Sequence, residues 1–457
     1  MKHFQGLTPA EFYRLRDQRT ELCVGSEILG NAAVHISIDE SEASTPQGQL
    51  AFLTLVNLSA RWCRNISISA PDQQVHPRLA SYYHGRLRDE ALKIANMADP
   101  FINVSSGGFE ARIHVHVGTL SPQGSFSVCG RDWVAFAGAA VIRAPKPTDD
   151  ENFLGTLLSS CIGAAHAMRV AIGDDELYED IEVSLWNLET GAAATNGPVL
   201  APSTIGRLLM VGLGAVGSSL AYTLAMTPMR PNAVALVDAD AVDYPNLNRS
   251  PVFFAEHVGK KKVDVVSQCF PGLTPDLAPN RVEDAVRSGL RIDQFDLVIP
   301  AANVPEARTT IMTNTPPLMI SASTGTQWDA YKQRHIPLQD DCLICRFPMK
   351  NPLPAMACAT GSIAPLVAES DAAPQTGALP FLSLAGAIVA TADICKIPFE
   401  QSFREGTNRS ILSFRGSELI LASSHRLPKP GCSYCTKPDV FEALGSKRLF
   451  ATYSQLR

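Results

Sequence analysis

The chain has 457 residues, and its 39 basic and 45 acidic residues give a formal net charge of -6. No basic stripe is visible, so we expect no nucleic-acid partner. No segment approaches the roughly 18 apolar residues of a membrane span, and the charged N-terminus lacks the apolar core of a secretory signal. We therefore predict a soluble, cytoplasmic protein of two or three domains that does not act on membranes.

Residues 1–190 contain three apolar runs that predict secondary structure. The runs at 50–62 and 132–144 are expected to form strands. The run at 152–173 predicts a helix, because its apolar residues recur at helical spacing with small residues between them. A run of the same composition at 379–397 predicts a second such helix. We interpret residues 1–190 as an N-terminal α/β domain.

A short segment without hydrophobic periodicity follows this domain. Residues 188–204 are small and polar and contain glycine and proline, which is typical of a linker. We therefore place a linker at 191–204 and a second domain at 205–457.

A dinucleotide-fold fingerprint begins directly after the linker. An apolar run enters a glycine-rich turn, a helical pattern follows, and a second apolar run ends in two acidic residues. Glycines let the backbone approach a phosphate, the helix N-terminus supplies N–H donors, and an acidic residue can hold ribose hydroxyls. This order predicts a nucleotide-binding α/β domain. The residues concerned are Gly212, Gly214, Gly217, Asp238 and Asp240.

The residues after the second strand carry more positive charge than a nicotinamide site needs. Asn246 and Arg249 follow the strand, and Lys262 comes thirteen positions after Arg249. A nicotinamide cofactor has one pyrophosphate, which the glycine turn already serves. Additional cations favour a triphosphate whose pyrophosphate leaves. Alone, the lysines at 260–262 would fit a solvated helix start.

Four of the eleven cysteines form two C-x-x-C pairs, Cys342/Cys345 and Cys432/Cys435. In a cytoplasmic chain, two such pairs are typical of a tetrahedral zinc site. Because the pairs are far apart in sequence, the metal would join two distant segments of one domain. Ordinary cysteines or two redox pairs are the alternatives.

The motifs of the second half resemble those of the ThiF/MoeB/ubiquitin-activating enzyme family. Six segments occur in that family's order: GLGAVG (212–217), LVDADAVDYPNLNR (236–249), HVGKKK (257–262), CLICRFP (342–348), ACATGSIAP (357–365) and GCSYC (431–435). The resemblance implies a Rossmann-like, ThiF-type adenylation domain with structural zinc. Such a domain uses ATP and magnesium to adenylate the C-terminal carboxylate of a ubiquitin-like protein.

The resemblance also implies roles for individual residues. Asp238 would hold the ribose, and Asp240 would contact the nucleotide or magnesium. The phosphates would be contacted by Asn246, Arg249 and Lys262. The zinc would be bound by Cys342, Cys345, Cys432 and Cys435.

Cys358 is the candidate nucleophile, since it lies where several family members place their acyl-accepting cysteine. A thiolate is strongly nucleophilic and its thioester stays activated, so it suits transfer from an acyl-adenylate. The alternative is a small buried residue without a catalytic role.

One departure from the family pattern concerns magnesium. The family usually has a Thr-Asp-Asn word after the fourth strand, whose Asp helps to position the ion, but here Ala302 precedes Asn303. A carboxylate is missing where a hard cation needs oxygen ligands. Asp240 or another acid could substitute, adenylation could be slow, or catalysis could be lost.

Members of this family work as dimers or pseudo-dimers. The similar helical runs at 152–173 and 379–397 suggest that residues 1–190 are a degenerate adenylation-like half joined to an intact one, so that one chain forms an intrachain pseudo-dimer. An unrelated α/β recognition domain is the alternative. In the family, an arginine of the partner half reaches the ATP phosphates, a role that Arg16 or Arg19 could take. A charged surface helix would equally fit these residues.

We therefore predict ATP-dependent activation of a ubiquitin-like protein, by adenylation and then thioester transfer to Cys358. The expected partners are that protein and a ubiquitin-conjugating-like enzyme, in a bacterial-type pathway. Adenylation of a ribosomal peptide or sulfur-carrier protein is one alternative. A non-catalytic scaffold that binds a ubiquitin-like protein is another.

Overall fold

The structure is a computed structural model that describes residues 6–106, 111–119, 122, 125–139, 144–147, 150–174, 180–325, 328–337, 339–346, 378–416 and 418–434. Two predicted site residues, Cys358 and Cys435, lie outside the described residues. Within these ranges, no helix is both long enough and apolar enough to cross a membrane.

The first part of the chain builds a seven-stranded sheet with helices against it. Its strands are β1 (Ala33–Ile38), β2 (Asn65–Ser69), β3 (Asn103–Ser105), β4 (Ile113–Val117), β5 (Phe126–Arg131), β6 (Val134–Gly138) and β7 (Ile181–Ser184). The helices here are α1 (Pro9–Arg16), α2 (Gln18–Val24), α3 (Ser26–Asn31), α4 (Glu40–Ala43), α5 (Pro46–Ala60), α6 (Leu87–Ala98) and α7 (Leu154–Ala171). The strand order is β3-β2-β1-β4-β5-β6-β7, and only β6 and β7 are antiparallel to their neighbours.

The second part builds an eight-stranded sheet and a two-stranded one. Its strands are β8 (Ser203–Thr204), β9 (Arg207–Val211), β10 (Met229–Arg230), β11 (Ala233–Val237), β12 (Asp276–Ala278), β13 (Leu297–Pro300), β14 (Met319–Thr324), β15 (Asp329–His335), β16 (Arg409–Ser413) and β17 (Ile420–Ser424). The helices are α8 (Ala215–Ala225), α9 (Lys262–Ser267), α10 (Val282–Arg287), α11 (Pro305–Thr313), α12 (Leu343–Arg346), α13 (Pro380–Lys396) and α14 (Glu400–Glu405). The predicted mixed α/β, Rossmann-like fold is confirmed.

The two large sheets repeat one topology. The second has the order β12-β11-β9-β13-β14-β15-β16-β17, so its first five strands along the chain take the same places as β1 to β5. In both sheets these five strands are parallel and the later ones are antiparallel. A repeated strand order is what the hypothesis of two related halves requires.

The run at 50–62 is a helix, so the prediction of a strand there was wrong. Thr45 caps helix α5 by accepting a hydrogen bond from the N–H of Gly48, and Pro46 occupies the first turn. Every residue of α5 is buried. A helix buried on all sides is apolar all round, so its periodicity cannot be told from that of a buried strand.

The other predicted elements are observed. Strand β6 lies within the run at 132–144, while α7 and α13 occupy the two runs rich in small residues. Helices α7 and α13 pack against one another between the sheets, and α5 and α8 flank them. The hydroxyl of Tyr222 on α8 joins the halves through the hydroxyls of Thr54 (3.2 Å) and Tyr83 (2.9 Å). One continuous apolar core therefore spans both halves.

Candidate functional site

A cavity of about 890 Å³ opens at the carboxyl ends of β9, β11 and β13. Ligands of open α/β sheets bind at this edge, because the loops that follow the strands converge there. Eight of the residues predicted to bind the nucleotide line the cavity: Arg19, Gly212, Gly214, Asp238, Asp240, Asn246, Arg249 and Lys262. The fold thus brings together residues that are widely separated in sequence.

The three glycines of the turn differ in their structural surroundings. Gly212 has φ +86°, and a Cβ there would lie 2.5 Å from the backbone nitrogen of Ala302. A Cβ on Gly217 would lie 2.0 Å from the carbonyl oxygen of Gly212. Gly214 lines the cavity and has no atom within 4 Å of a built Cβ. Gly212 and Gly217 therefore permit close packing, whereas Gly214 leaves open space for a ligand.

The carboxylate of Asp238 is fixed at the end of β11. It accepts hydrogen bonds from the N–H of Leu213 (2.6 Å) and from the N–H of Asp240 (2.8 Å). The ammonium of Lys262 lies 2.8 Å from the carboxylate of Asp240 and 4.0 Å from that of Asp238. These contacts join Asp238 to the glycine turn and place the ammonium of Lys262 near both carboxylates.

Arg249 presents an uncompensated positive charge to the cavity. Its Nη1 donates to the carbonyl oxygen of Pro245 (2.6 Å) and to Oδ1 of Asn248 (3.1 Å). Among the described residues, its Nε and Nη2 have no hydrogen-bond partner and no carboxylate pairs with it. Burial, together with the charge of Arg19, lowers the pKa of Arg249 to about 9, so it is still a cation at neutral pH.

Asn246 has a local structural role as well as a place in the cavity. Its Oδ1 accepts a hydrogen bond from the N–H of Asp243 (3.0 Å) and closes a capping box around the 3₁₀ helix Tyr244–Asn246. This cap sets the path of the chain between the end of β11 and Arg249.

Arg16 and Arg19, which the sequence could not distinguish, are in different environments. Arg19 lines the cavity beside Arg249, and burial lowers its pKa. Arg16 is fully buried away from the cavity, where it pairs with Asp17 (2.6 Å) and Asp99 (2.7 Å). The expectation that Arg16 could contact phosphates is therefore corrected, because both of its ion-pair partners hold it inside the N-terminal half.

Ala302 lies beside the glycine turn, and its N–H donates to the carbonyl oxygen of Val211 (3.0 Å). It supplies no oxygen ligand for a divalent cation. The carboxylates that line the cavity are those of Asp238, Asp240, Glu283 and Glu306. The carboxylate of Asp240 is 70% exposed, so it can turn toward a cation that a nucleotide brings with it.

Three of the four predicted zinc ligands lie together. The sulfurs of Cys342, Cys345 and Cys432 are all within 4.8 Å of one another, and those of Cys342 and Cys432 are 3.8 Å apart. Tetrahedral zinc with Zn–S bonds of about 2.3 Å requires sulfurs roughly 3.8 Å apart. The three thiols therefore have suitable chemistry and spacing for zinc.

Sequence reasoning missed a second part of the cavity wall. It comes from strands β14, β15 and β16 and from helix α13, and it carries hydroxyl and amide groups with one arginine. Alternate small polar residues on β14 are the only sequence signal for it. These residues are Ser321, Ser323, Thr324, Tyr331, Gln333, Ser383 and Arg409.

Comparison with known proteins places residues 203–397 in the ThiF family. The SUMO-activating enzyme subunit uba-2 of Caenorhabditis elegans is 29% identical over 106 residues, which cover 22% of this chain and 18% of that protein. The adenylyltransferase and sulfurtransferase uba4 of Aspergillus niger is 27% identical over 253 residues, covering 50% and 48%. The chain spans less than half the length of the curated relatives it matches.

Among solved structures, E. coli MccB is 14% identical, with a TM-score of 0.36. The match covers 50% of this chain and 64% of MccB.

Proposed function

We propose that the protein uses ATP to adenylate the C-terminal carboxylate of a ubiquitin-like protein, through the part of the chain that matches the ThiF family, residues 203–397. The family match and the names of the relatives, a SUMO-activating enzyme subunit and an adenylyltransferase, support this kind of reaction. That the substrate is a ubiquitin-like protein is proposed as well.

The observation that carries the proposal is the convergence of phosphate-binding groups in one cavity. The open face of Gly214 lies beside Asp238, and the cations Arg19, Arg249 and Lys262 line the same space. Among the described residues, two donor nitrogens of Arg249 have no partner, and a guanidinium is well suited to phosphate oxygens. A triphosphate would satisfy these groups better than a single pyrophosphate bound at the glycine turn.

The proposed reaction begins with attack of the substrate carboxylate oxygen on the α-phosphorus of ATP. The new P–O bond gives the acyl-adenylate, and the bond between the α-phosphorus and the bridging oxygen breaks to release pyrophosphate. Arg249 and Lys262 neutralise the charge that develops on the leaving oxygens. The hydroxyl-lined wall of β14 and β15 has room for the end of the substrate, so positioning is the other contribution.

Magnesium would accompany the nucleotide. Asp240 is the acid that we assign to it in place of the family Asp, because its carboxylate is exposed at the cavity next to Lys262. The carboxylate oxygens that line the cavity are suitable ligands for such an ion.

Zinc would be held by Cys342, Cys345, Cys432 and Cys435. It would fix α12 to the C-terminal segment and so support the outer face of the sheet. Three of these sulfurs lie within 4.8 Å of one another, and those of Cys342 and Cys432 are 3.8 Å apart.

Transfer to Cys358 is proposed as the second step. The thiolate attacks the acyl carbon of the adenylate, the bond to the phosphate oxygen breaks, and AMP leaves with the thioester formed. A conjugating-type enzyme would then accept the acyl group, in a cytoplasmic pathway.

The N-terminal half is proposed to be a degenerate partner within an intrachain pseudo-dimer, with the boundaries 1–190, 191–204 and 205–457. The equal strand order of the two sheets supports this interpretation. So does Arg19, which enters the cavity of the second half from the first.

Two other functions remain as candidates. Sulfur-carrier or peptide adenylation is favoured by the sulfurtransferase name of one relative, and it would leave Cys358 dispensable. A non-catalytic scaffold is favoured by Ala302, which supplies no carboxylate beside the glycine turn.

ATP–pyrophosphate exchange tests the proposal. We expect exchange that depends on a ubiquitin-like protein and is lost in Arg249→Ala, whereas Cys358→Ala should keep exchange and lose a reducible protein adduct. A sulfur-carrier protein or a peptide that supports exchange instead would favour the second candidate. Absence of exchange with every substrate, from a folded protein that binds ATP, would favour the scaffold.

A further inference from the structure

The turn that carries Arg249 is held by the N-terminal half of the chain. Arg61, at the end of α5, is fully buried, and its guanidinium donates to the carbonyl oxygens of Leu247, Pro251 and Phe253. In the described part of the chain no carboxylate pairs with Arg61, and burial lowers its pKa to about 9. These hydrogen bonds fix the backbone on both sides of Arg249.

A second contact from the same half reaches the side chain next to Arg249. The Nδ2 of Asn248 donates to Oγ1 of Thr20 (2.7 Å), and the Oδ1 of Asn248 accepts from Nη1 of Arg249 (3.1 Å). Thr20 in turn donates to the carbonyl oxygen of Ala378 (3.3 Å). Thr20 and Asn248 are both fully buried.

The hydroxyl of Thr20 determines which way the amide of Asn248 faces. Because the hydroxyl proton is directed at Ala378, the oxygen of Thr20 accepts from the amide nitrogen of Asn248. The amide oxygen then faces Arg249, where it can accept from the guanidinium. The reverse orientation would place an NH₂ group against a cation and lose both hydrogen bonds.

We propose that Thr20 is a positioning residue that orients the guanidinium of Arg249 through Asn248. This inference rests on the proposed function, since it takes Arg249 to bind the phosphates of ATP. Thr20 does not line the cavity, whereas Arg249 does, so its effect on the nucleotide is indirect. The N-terminal half would thus complete the phosphate site by Arg19 and also by fixing the aim of Arg249.

The experiment measures the dissociation constants of ATP and adenosine by calorimetry, with the full chain. Thr20→Val removes the hydroxyl at nearly constant shape, and Thr20→Ser retains it. We expect Thr20→Val to weaken ATP binding roughly 3- to 10-fold, as loss of one buried hydrogen bond would do. Adenosine has no phosphate, so its binding should not change, and Thr20→Ser should restore ATP binding.

A matched control and a double-mutant cycle separate positioning from loss of stability. Thr54→Val also removes a hydroxyl that joins the two halves, but at Tyr222, which does not line the cavity, and it should leave ATP binding unchanged. In an Arg249→Ala background, Thr20→Val should have no further effect on ATP binding. If Thr20→Val does not fold, Asn248→Ala tests the same contact.

The possible results distinguish failure of the role of Thr20 from failure of the proposed function. If wild type and Thr20→Val bind ATP equally, the role of Thr20 alone is overturned. The same holds if Thr20→Val weakens ATP binding as much in the Arg249→Ala background as in the wild type. Equal weakening of ATP and adenosine would also overturn it. A wild-type protein that binds no ATP would overturn the proposed function, and the role of Thr20 with it.

Discussion

The glycine turn offers a substitution pair in which one alanine tests the fold and the other tests the site. Gly212 has φ +86°, and an added Cβ would lie 2.5 Å from the backbone nitrogen of Ala302. An L-residue in the left-handed region costs about 1–2 kcal/mol, and the backbone contact adds to this. We therefore expect Gly212→Ala to lower the free energy of unfolding by about 2–4 kcal/mol.

Gly214→Ala should instead weaken ATP binding with little loss of stability. Its φ of −69° suits alanine, and no atom lies within 4 Å of the added Cβ. The cost to stability at this helix N-cap should stay below about 1 kcal/mol. The methyl group would project into the space where a phosphate approaches, so ATP binding should weaken at least about tenfold, which corresponds to about 1.4 kcal/mol.

Thermal unfolding and calorimetric titration with ATP, on both variants and the wild type, check this pair. Gly212→Ala should melt clearly earlier than Gly214→Ala, and Gly214→Ala should bind ATP more weakly than its stability explains. Wild-type affinity for ATP in Gly214→Ala would contradict this prediction. An equal loss of stability in the two variants would also contradict it, because of these two glycines only Gly212 has a close backbone contact.

Four further predictions concern the two arginines of the N-terminal half, the cysteine cluster, the charge of Arg249 and the number of nucleotide sites. Arg16→Met should cost about 3–5 kcal/mol of stability, because it leaves the buried carboxylate of Asp99 without its ion-pair partner and Asp17 with Arg64 alone. Arg19→Met should leave the melting temperature nearly unchanged and weaken ATP binding; the reverse pattern would restore Arg16 as the phosphate residue. Cys432→Ser should reduce bound zinc, measured by atomic emission, and lower the melting temperature, while Cys269→Ser keeps the metal; equal zinc in both would contradict the site. Because Arg249 must be a cation to bind phosphate and its pKa is lowered to about 9, ATP affinity should fall as pH rises through about 9, with a smaller fall in Arg249→Ala. Calorimetry should give one ATP per chain, and two would show that the first half also binds nucleotide.

The helix–strand error at 50–62 has a definite physical origin. Periodicity identifies an element only when one face meets water, and α5 is covered on every side by the sheet and its neighbouring helices. The helix-start signals Thr45 and Pro46 lie just before this apolar run. A capping threonine followed by a proline in the first turn favours a helix.

The residues of the proposed phosphate site could be identified in the sequence because they lie in short motifs around one strand–turn–helix unit. Gly214, Asp238 and Lys262 are within one segment of the chain, and each has a role that local geometry defines. Thr20 could not be predicted, since its partner Asn248 lies in the other half of the chain and an isolated threonine in a helix gives no signal. Arg16 and Arg19 are three residues apart, and only the packing of α1 against Asp99 decides that one is buried in ion pairs.

The two sheets share one topology but differ in the loop after their first strand, and this difference supports our proposal that only the second half binds nucleotide. Where β9 leads into the glycine turn, β1 leads into Asp39, whose carboxylate caps α4 by accepting from the N–H of Glu42 (2.7 Å). Although burial opposes it, the imidazole of His116, 3.7 Å away, and the hydrogen bond from that N–H lower the pKa of Asp39 to about 2, so the group is an anion at neutral pH. A fixed negative charge at the point where phosphate would approach repels it. In the proposed pseudo-dimer the first half would therefore keep the fold without a phosphate site. It would contribute helix α2, which brings Arg19 to the cavity and Thr20 to Asn248, next to Arg249.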